Sequence, residues 1–375
     1  MAGANLATPL YAVYAERFGF STLVLTAIFA AYAFVLVPGL LVLGRLADRF
    51  GRRRVLLGGL GVACVALVVF AFAQGPAWLF VARALQGLAV ALVSGAATAA
   101  LVELDPDQDA RRAALLAGLA QAGGSAAGPL FAGVLAQWAP APRQLSYLLF
   151  VGFTAAAAAL VLTLPEREGD PGEPWRVAWP RVPSEIARPF ARVGVTAGLV
   201  WGAVALYLSV VPSYARDLIH TRNLALLSAV AAAALTASCV AQIAVQRRRA
   251  GLQRDQAVGL GLLAGGLVLL VLVGPLHSLA LLLAGAVLTG AGHGVGVIAA
   301  QQELNAIAPA ARRAEVTAAF VGCIYFVVAS SVIASGLLDE VVSLTASVAS
   351  VASALAVCAG AAAAWQTRAA AAATT

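Results

Sequence analysis

Lysine is absent from this chain of 375 residues, charge of either sign is scarce, and histidine and cysteine are few. Charged residues make up 11% of the sequence against 62% hydrophobic residues. Soluble domains carry about 25% charged residues, so this balance excludes a soluble globule. With no lysine, all 24 basic side chains are arginines, which reflects genomic base composition rather than mechanism. The net charge of +7 would suggest nucleic acid in a soluble protein. Here the arginines sit between apolar runs, where they set membrane topology, and no nucleic-acid partner is expected. The four cysteines, Cys64, Cys239, Cys323 and Cys358, lie inside apolar runs without a CxxC pair. They read as small buried hydrophobes, with neither a disulfide framework nor a metal site. Three histidines and the lack of an HExxH, a paired intramembrane Asp or a Ser with a positioned base argue against a membrane enzyme. Nothing reads G-x-x-x-x-G-K-[ST], so no ATP-driven pump is encoded and no cofactor is expected. The first residues lack the basic region and apolar stretch of a cleavable signal peptide.

What is present is a series of apolar runs, near 2–15, 22–43, 55–74, 77–102, 113–137, 145–164, 193–215, 223–246, 256–274, 278–302, 314–336 and 341–364. Most have the roughly 20 residues that a bilayer demands of a helix. With the N-terminus inside, the cytoplasmic segments hold five arginines at 45–54, two at 111–112, five at 167–192, four at 247–254 and two at 312–313, with Arg368 beyond. Only Arg17, Arg143, Arg216 and Arg222 fall on the other side, and Arg83 lies inside a span. This asymmetry places both termini in the cytoplasm. The polar stretch from Pro165 to Arg192 divides the spans six and six, giving a first half over 1–165, a central loop over 166–192, a second half over 193–364 and a tail over 365–375. The halves echo each other: Arg52-Arg53-Arg54 in Arg247-Arg248-Arg249, Gly87 in Gly290, and Arg111-Arg112 in Arg312-Arg313. Such echoes indicate a repeat. The first run does not fit, because about fourteen apolar residues, Ala2 to Ala15, reach roughly 21 Å as a helix, against a core of about 30 Å. The expectation is a first helix that is truncated, its inner half encoded upstream.

The most specific segment is Gly44-Arg45-Leu46-Ala47-Asp48-Arg49-Phe50-Gly51-Arg52-Arg53-Arg54, between two uncharged spans. Gly44 permits close helix approach, Asp48 can pair with arginines or cap a helix, and Gly51 suits a left-handed turn. The segment resembles the signature loop of the major facilitator superfamily of secondary transporters, G-x-L-a-D-r-x-G-r-[RK]-[RK], and matches it throughout. The resemblance implies an all-α integral membrane protein with a twelve-helix fold of two six-helix halves. It also implies a conformational latch formed by Gly44, Asp48, Arg49, Gly51, Arg52 and Arg53.

Arg83-Ala84-Leu85-Gln86-Gly87 resembles the R-x-x-Q-G element on the fourth helix of proton-linked members, which makes Arg83 and Gln86 candidates for proton coupling. An arginine inside a span is a functional hypothesis by default. His293, the one mid-span histidine, is a third candidate. Gly124, Gly128, Pro129 and Gly133 partly match the fifth-helix antiporter motif, with Ala132 and Leu115 where glycines are expected. By analogy the cavity is lined by the first, fourth, seventh and tenth spans, which offer Asn5, Tyr11, Ser94, Thr98, Trp201, Tyr207 and Gln301 beside Gln86 and His293. Glu103 and Glu303, at the ends of their spans, are expected to pair with arginines rather than to carry coupling protons. The motifs are closest to bacterial drug:proton antiporters. They imply a monomer in the bacterial cytoplasmic membrane that exports a small lipophilic molecule by alternating access, with protons as partners. The alternatives are a gradient-driven importer of a small nutrient and a non-transporting relative.

Overall fold

The computed structural model describes residues 2–43, 46–104, 110–165, 179–246 and 251–372. Gly44 and Arg45 of the basic loop, residues 166–178 of the central loop and Arg247 to Arg249 lie outside the described residues. The described residues form helices α1 (Ala2–Asn5), α2 (Tyr11–Phe18), α3 (Thr22–Leu43), α4 (Leu46–Phe50), α5 (Arg52–Ala71), α6 (Pro76–Leu104), α7 (Ala110–Trp138) and α8 (Leu145–Leu162). They continue with α9 (Ala187–Ser209), α10 (Val211–Leu218), α11 (Leu224–Gln246), α12 (Leu252–Leu276), α13 (Leu279–Ile307), α14 (Arg313–Asp339) and α15 (Leu344–Ala372). Among the described residues, ten helices are long and apolar enough to cross a membrane. The 29 residues of α7 occupy the fifth place, and the first is taken by α1, a 3-10 turn at Thr8–Leu10 and α2.

Two spans that read as single runs are interrupted, and proline stands at each break. Pro9 sits in the 3-10 turn and Pro212 at the start of α10. A proline has no N–H to donate and its ring crowds the preceding turn, which favours a break at these two positions, although α3, α7 and α12 run on through Pro38, Pro129 and Pro275. At the other extreme, α15 continues past 364 to Ala372, because Gln366 is drawn into a buried polar cluster and holds the helix inward. The predicted tail is therefore mostly helix.

The pairing of helices repeats across the two halves. In the first half α3 packs on α6, α5 on α6 and α8, and α1 on α7. In the second half α11 packs on α13, α12 on α13 and α15, and α9 on α14. Counting spans within each half, these are the same four contacts. Glycine makes one of them possible in both: a Cβ on Gly87 would meet the backbone of Tyr32 and Leu36, and one on Gly290 the backbone of Ala234. The fourth span of each half thus lies directly against the second span's main chain.

The halves meet through α7 on α11 and α3 on α14. Outside this bundle, Phe34, Phe153, Leu160, Phe326 and Val357 are exposed. An apolar exterior of this kind needs lipid around it.

Candidate functional site

A cleft with about 710 Å³ of free space, part of it open to solvent, lies between the halves. Its walls include Ala4, Asn5, Phe29, Tyr32, Arg83, Gln121 and Ser125 from the first half. From the second half come Trp201, Leu208, Leu235, Tyr325 and Val328. The walls are mainly aliphatic and aromatic with few polar groups.

Arg83 is built into this wall by the break in the first span. Since α1 stops at Asn5, its last carbonyls lack helical donors. Arg83 Nη1 donates to Ala4 O at 3.0 Å, and Gln86 Nε2 donates to Gly3 O at 3.0 Å. Nη1 also donates to Gln86 Oε1 at 2.9 Å, and Nη2 donates to Phe29 O at 3.2 Å. The guanidinium carbon stands 5.0 Å from the Phe29 ring centroid and 4.8 Å from that of Tyr32, within cation–π range. Across the cleft Tyr32 meets Tyr325, with ring centroids 6.3 Å apart.

His293 stands behind the wall. Its ring meets the Trp201 ring edge-on, 4.6 Å between centroids. Ser238 Oγ lies 2.8 Å from His293 Nδ1 and accepts from Gln242 Nε2 at 3.2 Å. The Ser238 hydroxyl can donate to Nδ1 or accept from it, according to the ring tautomer. Nε2 itself is buried without a hydrogen-bond partner.

Of the residues the sequence offered for the cavity, Asn5 and Trp201 line it, and so does Arg83, which the sequence offered for proton coupling. Tyr11 is buried beside Phe29, ring centroids 6.5 Å apart, rather than at the cleft surface. Ser94 turns its hydroxyl onto its own helix, donating to Val90 O at 2.7 Å. Tyr207 is buried in the core of the second half, and Gln301 is exposed near the end of α13, donating to Asn305 Oδ1 at 3.3 Å. The Thr98 side chain lies outside the described residues. The aromatic wall from Phe29, Tyr32 and Tyr325, on the second and eleventh spans, was missed. Its one sequence signal is Phe29 and Tyr32 three apart, in a run whose one other aromatic is Phe34.

In the fifth span Gly128 and Gly133 are buried with Pro129, while Gly124 is half-buried. A Cβ on Gly133 would collide with Ser228 and with the Leu224 carbonyl on α11. Gly133 therefore belongs to the seam between the halves. At the same end of the bundle Gln137 Oε1 accepts from Leu224 N at 2.8 Å. Gly336 packs on Thr26, and Arg216 Nη2 pairs with Glu16 Oε2 at 2.8 Å.

The opposite, arginine-rich end carries the basic loop. Asp48 pairs with Arg52 at 3.0 Å, and Arg52 Nη2 reaches Glu103 at 2.9 Å. Arg52 Nη1 also donates to Ala47 O at 3.2 Å. Gly51 has φ 89°, the left-handed region in which α4 turns into α5. Arg53 Nη1 donates to Leu164 O at 3.4 Å, and Arg49 lies over the Phe50 ring. In the second half Glu303 accepts from Arg192 at 3.0 Å, from Gln253 at 3.1 Å and from Gln256. Both span-end glutamates thus pair with arginines, one in each half.

The family described as "Major Facilitator Superfamily" matches residues 1–332. The chain is 34% identical over 122 residues to the vesicular acetylcholine transporter of Homo sapiens, covering 32% of this chain and 23% of that protein. It is 36% identical over 125 residues to the puromycin resistance protein of Streptomyces alboniger, 33% of this chain and 24% of that one. Against the multidrug efflux pump LfrA of Mycolicibacterium smegmatis it is 39% identical over 106 residues, 28% of this chain and 21% of that pump. The chain thus spans about a quarter of the length of the curated relatives it matches. Its fold is similar to that of a mutant of the nucleoside transporter NupG, with a TM-score of 0.73, 12% identity and coverage of 98% of this chain and 96% of that one. A structure of proton dependent oligopeptide transporters gives a TM-score of 0.77 at 13% identity, covering 98% and 95%.

Proposed function

Because the chain belongs to the major facilitator superfamily, we propose that it exports a small, largely apolar molecule by alternating access, driven by protons. It is a multi-pass membrane transporter of small molecules and not an enzyme. The observation that carries the finer reading is a mainly apolar cleft between two halves whose helix contacts repeat. Halves that pivot about such a seam expose the cleft to each side in turn. With the arginine-rich end taken as cytoplasmic, the contacts of Glu16, Gly133, Gln137 and Gly336 seal the outer side, so the cleft is in an outward-closed state.

The export direction draws on the drug-efflux relatives and on Gly133, which sits at the seam. Coupling falls on His293, which can take a proton while Arg83, always protonated, cannot release one. Trp201 touches both the cleft and His293, so substrate and proton sense each other through one side chain. Arg83 and Gln86 set the field on the facing wall. Gly44, Asp48, Arg49, Gly51, Arg52 and Arg53 form the latch, whose Asp48–Arg52–Glu103 chain stiffens the inner end. The protein works as a monomer in the bacterial cytoplasmic membrane.

The test is efflux of a panel of fluorescent lipophilic compounds from cells lacking their own pumps, with and without a protonophore. Protonophore-sensitive efflux is expected, and Asp48→Ala should remain in the membrane while losing it. Efflux that ignores the protonophore would sink the coupling, and full efflux by Asp48→Ala would sink the latch.

A further inference from the structure

The cleft holds a positive charge that its own walls leave unanswered. Arg83 is 3% exposed, and no carboxylate lines the cleft among the described residues. The groups that hold it are three oxygens, Ala4 O, Phe29 O and Gln86 Oε1, and the faces of Phe29 and Tyr32. All are neutral. A charge inside a bundle is costly until an opposite charge or a full set of acceptors meets it.

Part of Arg83 is left unmet. Nη1 gives its two N–H groups to Ala4 and Gln86, and Nη2 gives one to Phe29. One Nη2 hydrogen is left over, and Nε is buried without a partner. The guanidinium, which lines the cleft, thus keeps donors for the oxygens of a carboxylate. Around it, Tyr32, Tyr325 and Trp201 supply the aromatic surface.

We propose that the cleft selects planar aromatic weak acids, with the carboxylate on Arg83 and the ring against Tyr32, Tyr325 and Trp201. The proposal rests on the transporter reading and names its substrate class. A quaternary ammonium of the same shape meets Arg83 with no acidic group to receive it, and is rejected.

The test holds shape constant and changes charge. Purified full-length protein is titrated calorimetrically with naphthoate, naphthamide and naphthyltrimethylammonium. Naphthoate is expected to bind about tenfold or more tightly than either of the others, the scale of a charge-assisted hydrogen-bonded pair. Arg83→Lys keeps the charge and removes the guanidinium, so it should narrow the gap between naphthoate and naphthamide. If that variant does not fold, the wild-type series decides alone. An ammonium that binds as well as naphthoate, or a series that does not bind at all, overturns the proposal. Dye efflux measured in parallel separates the two readings: efflux with a flat binding series overturns the substrate class alone. Tight naphthoate binding without dye efflux supports the cleft assignment and overturns the export of lipophilic dyes.

Discussion

Glu16 and Arg216 meet at 2.8 Å across the two halves, yet Glu16 is 58% exposed, so solvent and salt screen the pair. Its value lies in position, since it bridges α2 and α10 at the sealed end. The Arg216 hydrogen bond and charge hold the Glu16 carboxyl below its usual range. A carboxyl lowered in this way contributes above its unfolded pKa and loses that contribution as pH falls through its folded value. The pair therefore survives mild acid and fails only in strong acid. Nitroxide labels at Arg17 and Asp217, on a cysteine-free background, should report a longer distance in Glu16→Gln at neutral pH. The wild type should keep its distance down to about pH 5.5, because the carboxylate is still ionised there. If the wild type lengthens as much on that mild acidification, a different group governs the seal.

Between elements, the close approaches at Gly87 and Gly290 decide how each half is assembled. A side chain at either position meets backbone rather than a flexible side-chain tip, so the neighbouring helix must move. Gly87→Val and Gly290→Val should each cost about 1–3 kcal/mol, as overpacking does. Gly61 faces open space, so Gly61→Val is the matched control. Thermal unfolding of the solubilised protein should show lower midpoints for the first two and little change for the third. Equal midpoints for all three would mean that the helices are not packed this tightly. The spans were legible because length and apolarity define them. Trp201 was legible as a cleft residue by its span, and Arg83 stood out as a charge in an apolar run, but as a proton-coupling candidate rather than a cleft wall. The aromatic wall was not. A helix apolar on every side has no periodicity to show which face meets lipid and which meets a cleft. Tyr325 could therefore not be told from Tyr11, which is buried, until the helices were packed. His293 stood out by residue type, but its bond to Ser238 joins α11 and α13, a contact only the fold supplies.

For the whole molecule, the arginines and the seal make one argument. Arg52, Arg254 and Arg313 gather at one end of the bundle, while Arg143 and Arg222 stand at the other with the Glu16–Arg216 pair. Moving Arg through the bilayer during insertion is costly, which is the ground for proposing that the richer end is cytoplasmic. In the proposed orientation the sealed end is the outer one. Single cysteines on a cysteine-free background can check it with a membrane-impermeant maleimide. Arg143→Cys and Arg222→Cys should label in intact cells, and Arg254→Cys and Arg313→Cys only after permeabilisation. The reverse pattern would invert the molecule and turn the sealed end inward. The same cleft would then face outward in this state, a state that alternating access allows for either direction of transport.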